Sequence, residues 1–286
     1  MEAVLQTPTE EPQRIVVPRR WVGAPDRGWN PTVALFLAVV ASFVGIVIAS
    51  RVGSLSPWFA IPGLGLCYYV IFTPLHDSTH GVAHRNRTLN AAIGRAAGFV
   101  LMLPFPLFRA AHLTHHAHTN VPGHDPDLMV ARSPRWLAPF WFALTPFHYR
   151  SMVYGGGMLR TRSARIEAIA TEAAIVGLIV GCVATGHAML LLQLWVLPAM
   201  LAILLLAFAF DLLPHHPHTT QERYFDTRIY PGRVLNALLL GQNYHLIHHL
   251  WTTIPWYHYE DAFRDVESDL VARGAPIGWR RLAERP

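Results

Sequence analysis

The chain has 286 residues and a formal net charge of +5 at pH 7; 52% of its residues are hydrophobic and only 14% are charged. Soluble domains carry charges on about a quarter of their residues, so this composition predicts a membrane protein. The two cysteines, Cys67 and Cys182, lie in apolar runs, which excludes a disulfide framework and a thiolate-bound zinc or iron–sulfur site.

Residues 1–30 are predicted to form a cytoplasmic tail, because they begin with a polar, acidic stretch and lack the apolar run of a secretory signal. Residues 31–286 are predicted to form a single domain. Four stretches in it, at about 31–50, 57–75, 166–185 and 189–213, are long enough to cross a bilayer, which needs roughly 20 apolar residues. Short loops join the first to the second and the third to the fourth. The predicted fold is therefore all-α, with four transmembrane helices in two hairpins.

The distribution of arginine predicts the orientation of these spans. All 23 basic residues are arginine, and only Arg51 lies in a loop within a hairpin. The positive-inside rule then places both termini and the region between the hairpins in the cytoplasm, in what we expect to be a bacterial inner membrane. The same rule explains the positive net charge, so no nucleic-acid partner is expected.

Two further apolar segments, 91–108 and 136–147, lie between the hairpins. The first contains glycines and prolines, and the second is too short to span and is predicted to be broken by Pro139 and Pro146. Both are predicted to be re-entrant or interfacial on the cytoplasmic face. The polar and aromatic residues after Trp251 predict a cytoplasmic cap with helical pieces.

Histidine is unusually frequent, with 17 residues. Thirteen of them fall in four clusters, all on the predicted cytoplasmic side, at 76–84, 112–118, 214–218 and 245–249. The first cluster has an HxxxH spacing and the second and fourth have an HxxHH spacing, so their imidazoles share one face of a helix. A lone histidine is usually an ordinary polar residue, as we expect for His124, His148, His187 and His258, but imidazoles that share a face can converge on a metal.

The number of ligands limits the kind of metal site. At least nine candidate imidazoles without a thiolate are too many for a tetrahedral structural zinc and suit two metals, each with an open position. Imidazole binds zinc, copper, iron and nickel, so the ligand type alone does not select the metal. Soluble di-iron bundles use Glu-x-x-His pairs, and the chain contains none.

Around these clusters the sequence resembles the membrane fatty acid desaturase and hydroxylase superfamily, which is defined by such histidine boxes. It is most similar to the branch of cyanobacterial-type β-carotene hydroxylases. The resemblance runs from about residue 57 to residue 275, with HDSTHGVAHRN at 76–86, HLTHHAHTN at 112–120 and the residues up to 127, DLLPHHP at 211–217 and YPGRVLNALLLGQNYHLIHHLWTTIPWY at 230–257. The last block indicates the carotenoid branch, although His216 stands where that branch is expected to have arginine.

The resemblance implies a catalytic domain that binds two ferrous ions through nine ligands: His76, His80, His112, His115, His116, His215, His245, His248 and His249. Metal-bound imidazole usually donates its other N–H to a carboxylate or carbonyl. Residues that could surround the ligands in this way are His84, His118, Asp77, Asp125, Asp127, Asp211 and Asn243. Turn formation beside Pro122 and Pro126 explains Asp125 and Asp127 equally well, and whether His84, His118, His216 or His218 touches metal stays open.

The function implied is that of an O2-dependent membrane monooxygenase that hydroxylates carbon 3 of the β-carotene ring to give zeaxanthin. No G-x-G-x-x-G fingerprint occurs, so the electrons are expected from an external donor, ferredoxin with its reductase. A fatty acyl desaturase and a carotenoid ketolase are the alternatives with the same metals. A metal transporter is disfavoured because its spans should carry an ionisable path. The oligomeric state is left open.

Overall fold

The computed structural model describes residues 14–23, 28–132 and 134–279. Its main helices are α1 (Pro31–Arg51), α2 (Pro57–His80), α3 (Arg87–Val100), α4 (Phe105–Ala117), α5 (Ala138–Gly155), α6 (Arg162–Ala184), α7 (Ala188–His215), α8 (Arg233–Leu239), α9 (His245–Leu250) and α10 (Tyr259–Ala272). Within these ranges extended pairing is limited to one isolated bridge, between Ile229 and Ile277. The predicted all-α class is therefore confirmed.

Four helices, α1, α2, α6 and α7, are long and apolar enough to cross a bilayer. Short turns join α1 to α2 and α6 to α7, which confirms the prediction of four spans in two hairpins. The start of α1 is set locally: Asn30 accepts hydrogen bonds from the backbone N–H groups of Thr32 (3.0 Å) and Val33 (3.2 Å), and Pro31 occupies the first turn.

Helix α2 lies at the centre of the membrane domain. Its apolar stretch is 56% buried inside the protein, against 11% for α1 and for α6, whose side chains face the bilayer. The buried side chains of α2, among them Tyr68, Ile71 and Leu75, pack against α1, α3 and α7. Directly after His80 the helix ends at Gly81, whose φ of 77° suits glycine. The first two histidines of the first cluster are thus fixed at the C-terminal end of a largely buried helix.

Helices α3 and α4 form a pair bent by 99°, as expected for a re-entrant or interfacial segment at 91–108. The bend depends on two glycines. A Cβ at Gly98 would lie 2.5 Å from the carbonyl oxygen of Leu103, and a Cβ at Gly94 would lie 2.5 Å from the ring of Phe105. Only glycine permits this close approach, and the bend brings α4, with the second histidine cluster, under the end of α2.

The prediction that prolines break the segment 136–147 is wrong. Helix α5 runs without interruption from Ala138 to Gly155. Pro139 lies in the first turn, where its missing N–H costs nothing. Pro146 lies inside the helix, but tertiary contacts hold this turn: Arg150 donates to the carbonyl of Pro146 (3.1 Å) and to Glu172 of α6 (2.8 Å).

Helix α7 contains two π-helical stretches, Leu192–Val196 and Ala207–Leu212. Pro198 and Pro214 follow them closely, and a proline removes one helical hydrogen bond and crowds the preceding turn. Such wide turns are frequent at functional sites. The second stretch ends three residues before His215 and therefore sets the direction in which this histidine points.

The C-terminal region forms the predicted helical cap, and its location in the cytoplasm stays a prediction. It is built on a buried core of α9, α10 and the loop between them, including Leu246, Ile254 and Phe263. Ile15 and Val17 are buried in the same core. The described part of the segment predicted as a tail therefore packs against the cap, whereas residues 1–13 and 24–27 of that segment lie outside the described ranges.

Candidate metal centre

The four histidine clusters meet at one end of the four spans, the end predicted to be cytoplasmic. They are placed there by the end of α2, the second half of α4, the end of α7 and the short helix α9. The nine histidines selected by the resemblance form two groups, and within each group the ligand atoms all lie within 4.8 Å of one another. The groups are His76, His80, His112, His116 and His248, and His115, His215, His245 and His249.

The spacing inside the first group is that of metal ligands. Nε2 of His112 lies 2.9 Å from Nε2 of His80 and 3.0 Å from Nε2 of His116. Nε2 of His248 lies 2.9 Å from that of His116 and 3.0 Å from that of His76. A ring N–H can donate to only one of two such neighbours, so hydrogen bonds do not account for the chain of contacts.

Coordination geometry accounts for it. Two nitrogens bound roughly 2.1 Å from one metal lie about 3.0 Å apart when they subtend a right angle and about 3.4 Å apart in a tetrahedron. The observed 2.9–3.0 Å separations match the right angle. The five nitrogens of this group could therefore hold one metal ion.

The second group has similar Nε2 separations but contains four histidines instead of five. Nε2 of His245 lies 3.0 Å from that of His215 and 3.2 Å from that of His249, which is 3.3 Å from that of His115. The two groups are adjacent, because α4 and α9 each contribute to both. The rings of His116 and His249, one from each group, have centroids only 4.3 Å apart.

The protonation states also fit bound metal. Burial lowers the pKa of His245, His248 and His249 well below the usual range, so these imidazoles are neutral and have a free lone pair. His115 differs: burial lowers its pKa, but Asp127 and Asp125 outweigh this and raise it to about 10. These carboxylates stabilise a positive charge at His115, which a bound metal would supply in place of the proton.

Other side chains contact Nδ1, the second ring nitrogen, in several of the nine histidines. Nδ1 of His115 lies 2.8 Å from a carboxylate oxygen of Asp125, Nδ1 of His245 lies 2.8 Å from the amide oxygen of Gln242 and Nδ1 of His248 lies 2.9 Å from the hydroxyl of Tyr259. With Nε2 bound to a metal, Nδ1 would carry the proton in each ring, and these contacts would then fix the tautomer and the ring orientation. Asp125 is itself held by the backbone N–H groups of Asn120 (2.7 Å) and Asp127 (2.9 Å).

The carboxylates named from the sequence therefore differ in role. Asp125 contacts His115, and a carboxylate oxygen of Asp127 lies 3.4 Å from the same ring nitrogen. Asp77 does not hold His76, since its nearer oxygen is 4.0 Å away and its other oxygen accepts from Thr32 of α1 at 2.7 Å. Asp211 lies on the membrane side of His215, without a described side-chain hydrogen bond to a histidine.

The remaining polar candidates lie outside both groups. Asn243 donates to the carbonyl of Tyr230 (2.9 Å) and fixes the loop before α9. The backbone N–H of Asn86 donates to His84 at 2.8 Å, and the ring of His118 faces His124. His216 and His218 are likewise absent from the two groups among the described residues.

Sequence reasoning missed Gln242, Tyr259, Thr119 and Tyr149. Gln242 stands three residues before His245, a spacing that could have suggested a contact on one helical face. Tyr259 is eleven residues beyond His248, Thr119 lies 3.4 Å from His249, and Tyr149 donates to Asp127. These contacts join separate elements, so no local pattern indicates them.

We expect Tyr259→Phe to weaken metal binding by about 10–100-fold, because the hydroxyl that orients His248 is lost while the packing of the ring is kept. The measurement is an iron titration of the purified protein. Tyr244→Phe, in the same buried core, is the matched control. Equal metal affinity in the two variants would show that the hydroxyl of Tyr259 does not orient the ligand.

An apolar cavity of ≈ 80 Å³ lies on the membrane side of the first group. Phe72, Phe108 and Phe210 line it. The ring of Phe108 stacks on His112 at 5.4 Å, and the ring of Phe72 lies 6.2 Å from His76. None of the nine histidines lines the cavity, so it adjoins the first group only through the rings of Phe72 and Phe108.

Comparison with known proteins gives one family. The family model for fatty acid desaturases matches residues 53–281. A chloroplastic omega-3 fatty acid desaturase of Glycine max is 25% identical over 87% of this chain and 62% of its own length. A chloroplastic sn-2 acyl-lipid omega-3 desaturase (ferredoxin) of Helianthus annuus is 23% identical over 95% and 70%. An sn-1 acyl-lipid omega-3 desaturase (ferredoxin) of Synechocystis is 29% identical over 32% and 27%. The chain thus spans less than two thirds of the Glycine max relative.

Proposed function

Because the chain belongs to the fatty acid desaturase family and is a membrane oxidoreductase, we propose that it is an acyl-lipid desaturase with two iron ions held by the nine histidines. The observation that carries the proposal is the convergence of nine Nε2 atoms into two adjacent groups beside an apolar cavity. When bound, the iron pair would activate O2 with two external electrons for attack on an unactivated C–H bond.

The protein's own residues would position the reaction. Asp125, Gln242 and Tyr259 contact ligand rings at their Nδ1 atoms and would hold the Nε2 atoms in a fixed orientation towards the metals. Phe72 and Phe108 wall the cavity beside the first group and exclude water from the reacting carbon. Exclusion of water protects an oxidising site from side reactions.

Two observations support iron rather than structural zinc. In the first group, five ligands with Nε2 separations of about 3.0 Å match right angles, whereas a structural zinc site is tetrahedral with four ligands. The family assignment also supports iron, since imidazole alone would accept several metals.

The acyl chain as substrate is supported by the relatives and by the cavity. The curated relatives described above are named as omega-3 desaturases. The cavity, at ≈ 80 Å³ between aromatic rings, is narrow and suits a thin polymethylene chain better than a substituted ring. The contact shape of a pocket usually sets such discrimination.

Hydroxylation of a carotenoid ring is the second candidate, and one observation favours it. The block 230–257 resembles the carotenoid hydroxylase branch in residues that are not among the nine histidines. Several of these fix the site: the N–H of Tyr230 donates to the carbonyl of Asn243 (2.7 Å), and Gln242 accepts from His245. Conversion of β-carotene to zeaxanthin stays a prediction.

The electron donor is proposed to be ferredoxin with its reductase. Two of the relatives are named as ferredoxin-dependent, and the arginine-rich face predicted to be cytoplasmic would attract an acidic donor. That face and the histidine groups are proposed to lie in the cytoplasm at a bacterial inner membrane, from the distribution of arginine.

The test supplies reduced ferredoxin and O2 to the purified, iron-loaded protein with acyl lipids and, separately, with β-carotene. We expect unsaturated acyl product and no hydroxylated carotenoid. His248→Ala is the control for metal-dependent turnover. Zeaxanthin without acyl product would replace the desaturase proposal by the second candidate, and no oxidised product from either substrate would contradict both.

A further inference from the structure

A second cavity, which is polar, lies on the side of α4 away from the histidine groups. This arginine cleft, ≈ 580 Å³, is formed by α3, α4 and the start of α6, and its lining includes Arg95, Arg109 and Arg160. Its volume falls within the roughly 300–1,000 Å³ typical of small-molecule sites. It is separate from the apolar cavity beside the metal groups, with which it shares no lining residue.

The arginine cleft carries excess positive charge. Arg95 is neutralised by Glu167, with two parallel contacts of 2.7 Å. Arg109 uses only Nε, which donates to the carbonyl of Thr79 (3.3 Å). Within the described ranges, neither Arg109 nor Arg160 lies within 4.0 Å of a carboxylate, and both are exposed. Two guanidinium groups therefore remain for an anion, and guanidinium matches the geometry of phosphate oxygens.

An apolar groove adjoins the arginine cleft on the bilayer side. It has a volume of ≈ 740 Å³ and is formed by α1, α2 and α3 with side chains such as Phe43, Ile71 and Phe99. Arg95 lines both the groove and the cleft. A basic cleft and an apolar groove that meet at one residue match a molecule with an anionic head and a hydrocarbon tail.

We propose that this surface binds an anionic phospholipid, with its phosphate between Arg109 and Arg160 and one acyl chain in the groove. Basic pockets between transmembrane helices on the cytoplasmic side are suited to anionic lipid head groups. A protein partner is disfavoured because the charge lies in a concave cleft whose wall continues into a groove on a membrane-facing surface. The proposal does not depend on the substrate of the enzyme.

The site also reaches the metal-binding helices. Arg109 lies on α4, whose other face carries three of the nine histidines, and it contacts the backbone of Thr79, one residue before His80. A lipid bound by Arg109 would therefore stabilise the packing of α4 against the end of α2.

The experiment measures lipid retention by native mass spectrometry of the protein extracted from vesicles of phosphatidylcholine and phosphatidylglycerol. We expect the wild type to retain phosphatidylglycerol in preference to phosphatidylcholine. Arg160→Gln should lower that preference about fivefold, and the double variant with Arg109→Gln should lower it further, because each arginine near an anionic lipid contributes independently. Arg233→Gln and Arg51→Gln, which remove exposed arginines elsewhere, should leave it unchanged.

Four outcomes would overturn the proposal. Equal retention of the two lipids by the wild type, or an equal loss of preference in the Arg233→Gln control, would show that the cleft is not selective. Displacement of the lipid by inorganic phosphate alone would identify a site for a free anion. Unchanged lipid retention together with lost binding of ferredoxin in the Arg160→Gln variant would identify a docking surface for protein. Arg160→Gln removes a side chain with no described hydrogen bond, so its effect does not reflect misfolding.

Discussion

Replacement of His248 by alanine is expected to abolish turnover, with a loss greater than about 100-fold, since loss of a partner that only orients a ligand already costs roughly 10–100-fold. His248 lies within 3.0 Å of two other Nε2 atoms of its group, so its removal opens the first metal position. His245→Ala and His115→Ala should have the same effect through the second group. Product formation per protein measures the loss.

The matched control is His187→Ala. His187 is exposed in the turn between α6 and α7, at the end of the hairpin away from the histidine groups. We expect full activity from this variant and from His118→Ala, whose ring lies outside both groups. Equal inactivation of His187→Ala would contradict the proposed topology, and full activity of His248→Ala would contradict the metal centre.

The second large effect concerns metal content. We expect the purified protein to contain two irons per chain, one for each histidine group, and a chelator to remove both iron and activity. His80→Ala and His215→Ala each affect a different group, so each should lose about half of the iron and nearly all of the activity. Elemental analysis with an activity assay measures both quantities.

Two other results for the metal content would contradict this expectation. One zinc per chain with full activity would contradict the two-iron proposal, because a single tetrahedral ion uses only four of the nine nitrogens. Loss of all iron in both single variants, with an unchanged melting temperature, would show that the two positions fill together rather than independently.

Much of the fold follows from local rules. The four spans could be predicted because a bilayer requires about 20 apolar residues in a row, and their observed bounds differ from the prediction by a few residues. The uninterrupted course of α5 could not be predicted, because the contact of Arg150 with Glu172 joins two helices. The burial of Ile15 in the cap likewise depends on residues more than 200 positions away.

For the candidate site, the sequence alone determined the donor chemistry: many imidazoles, no thiolate and helical spacings that place them on one face. Only the tertiary structure decided how the nine divide. The division does not follow the clusters: His115 separates from His112 and His116, and His248 separates from its own cluster. Neighbours on one helix point in directions about 100° apart, so adjacent histidines join different groups. Which of them meet therefore depends on how α2, α4, α7 and α9 pack, and local periodicity carries no information about that packing.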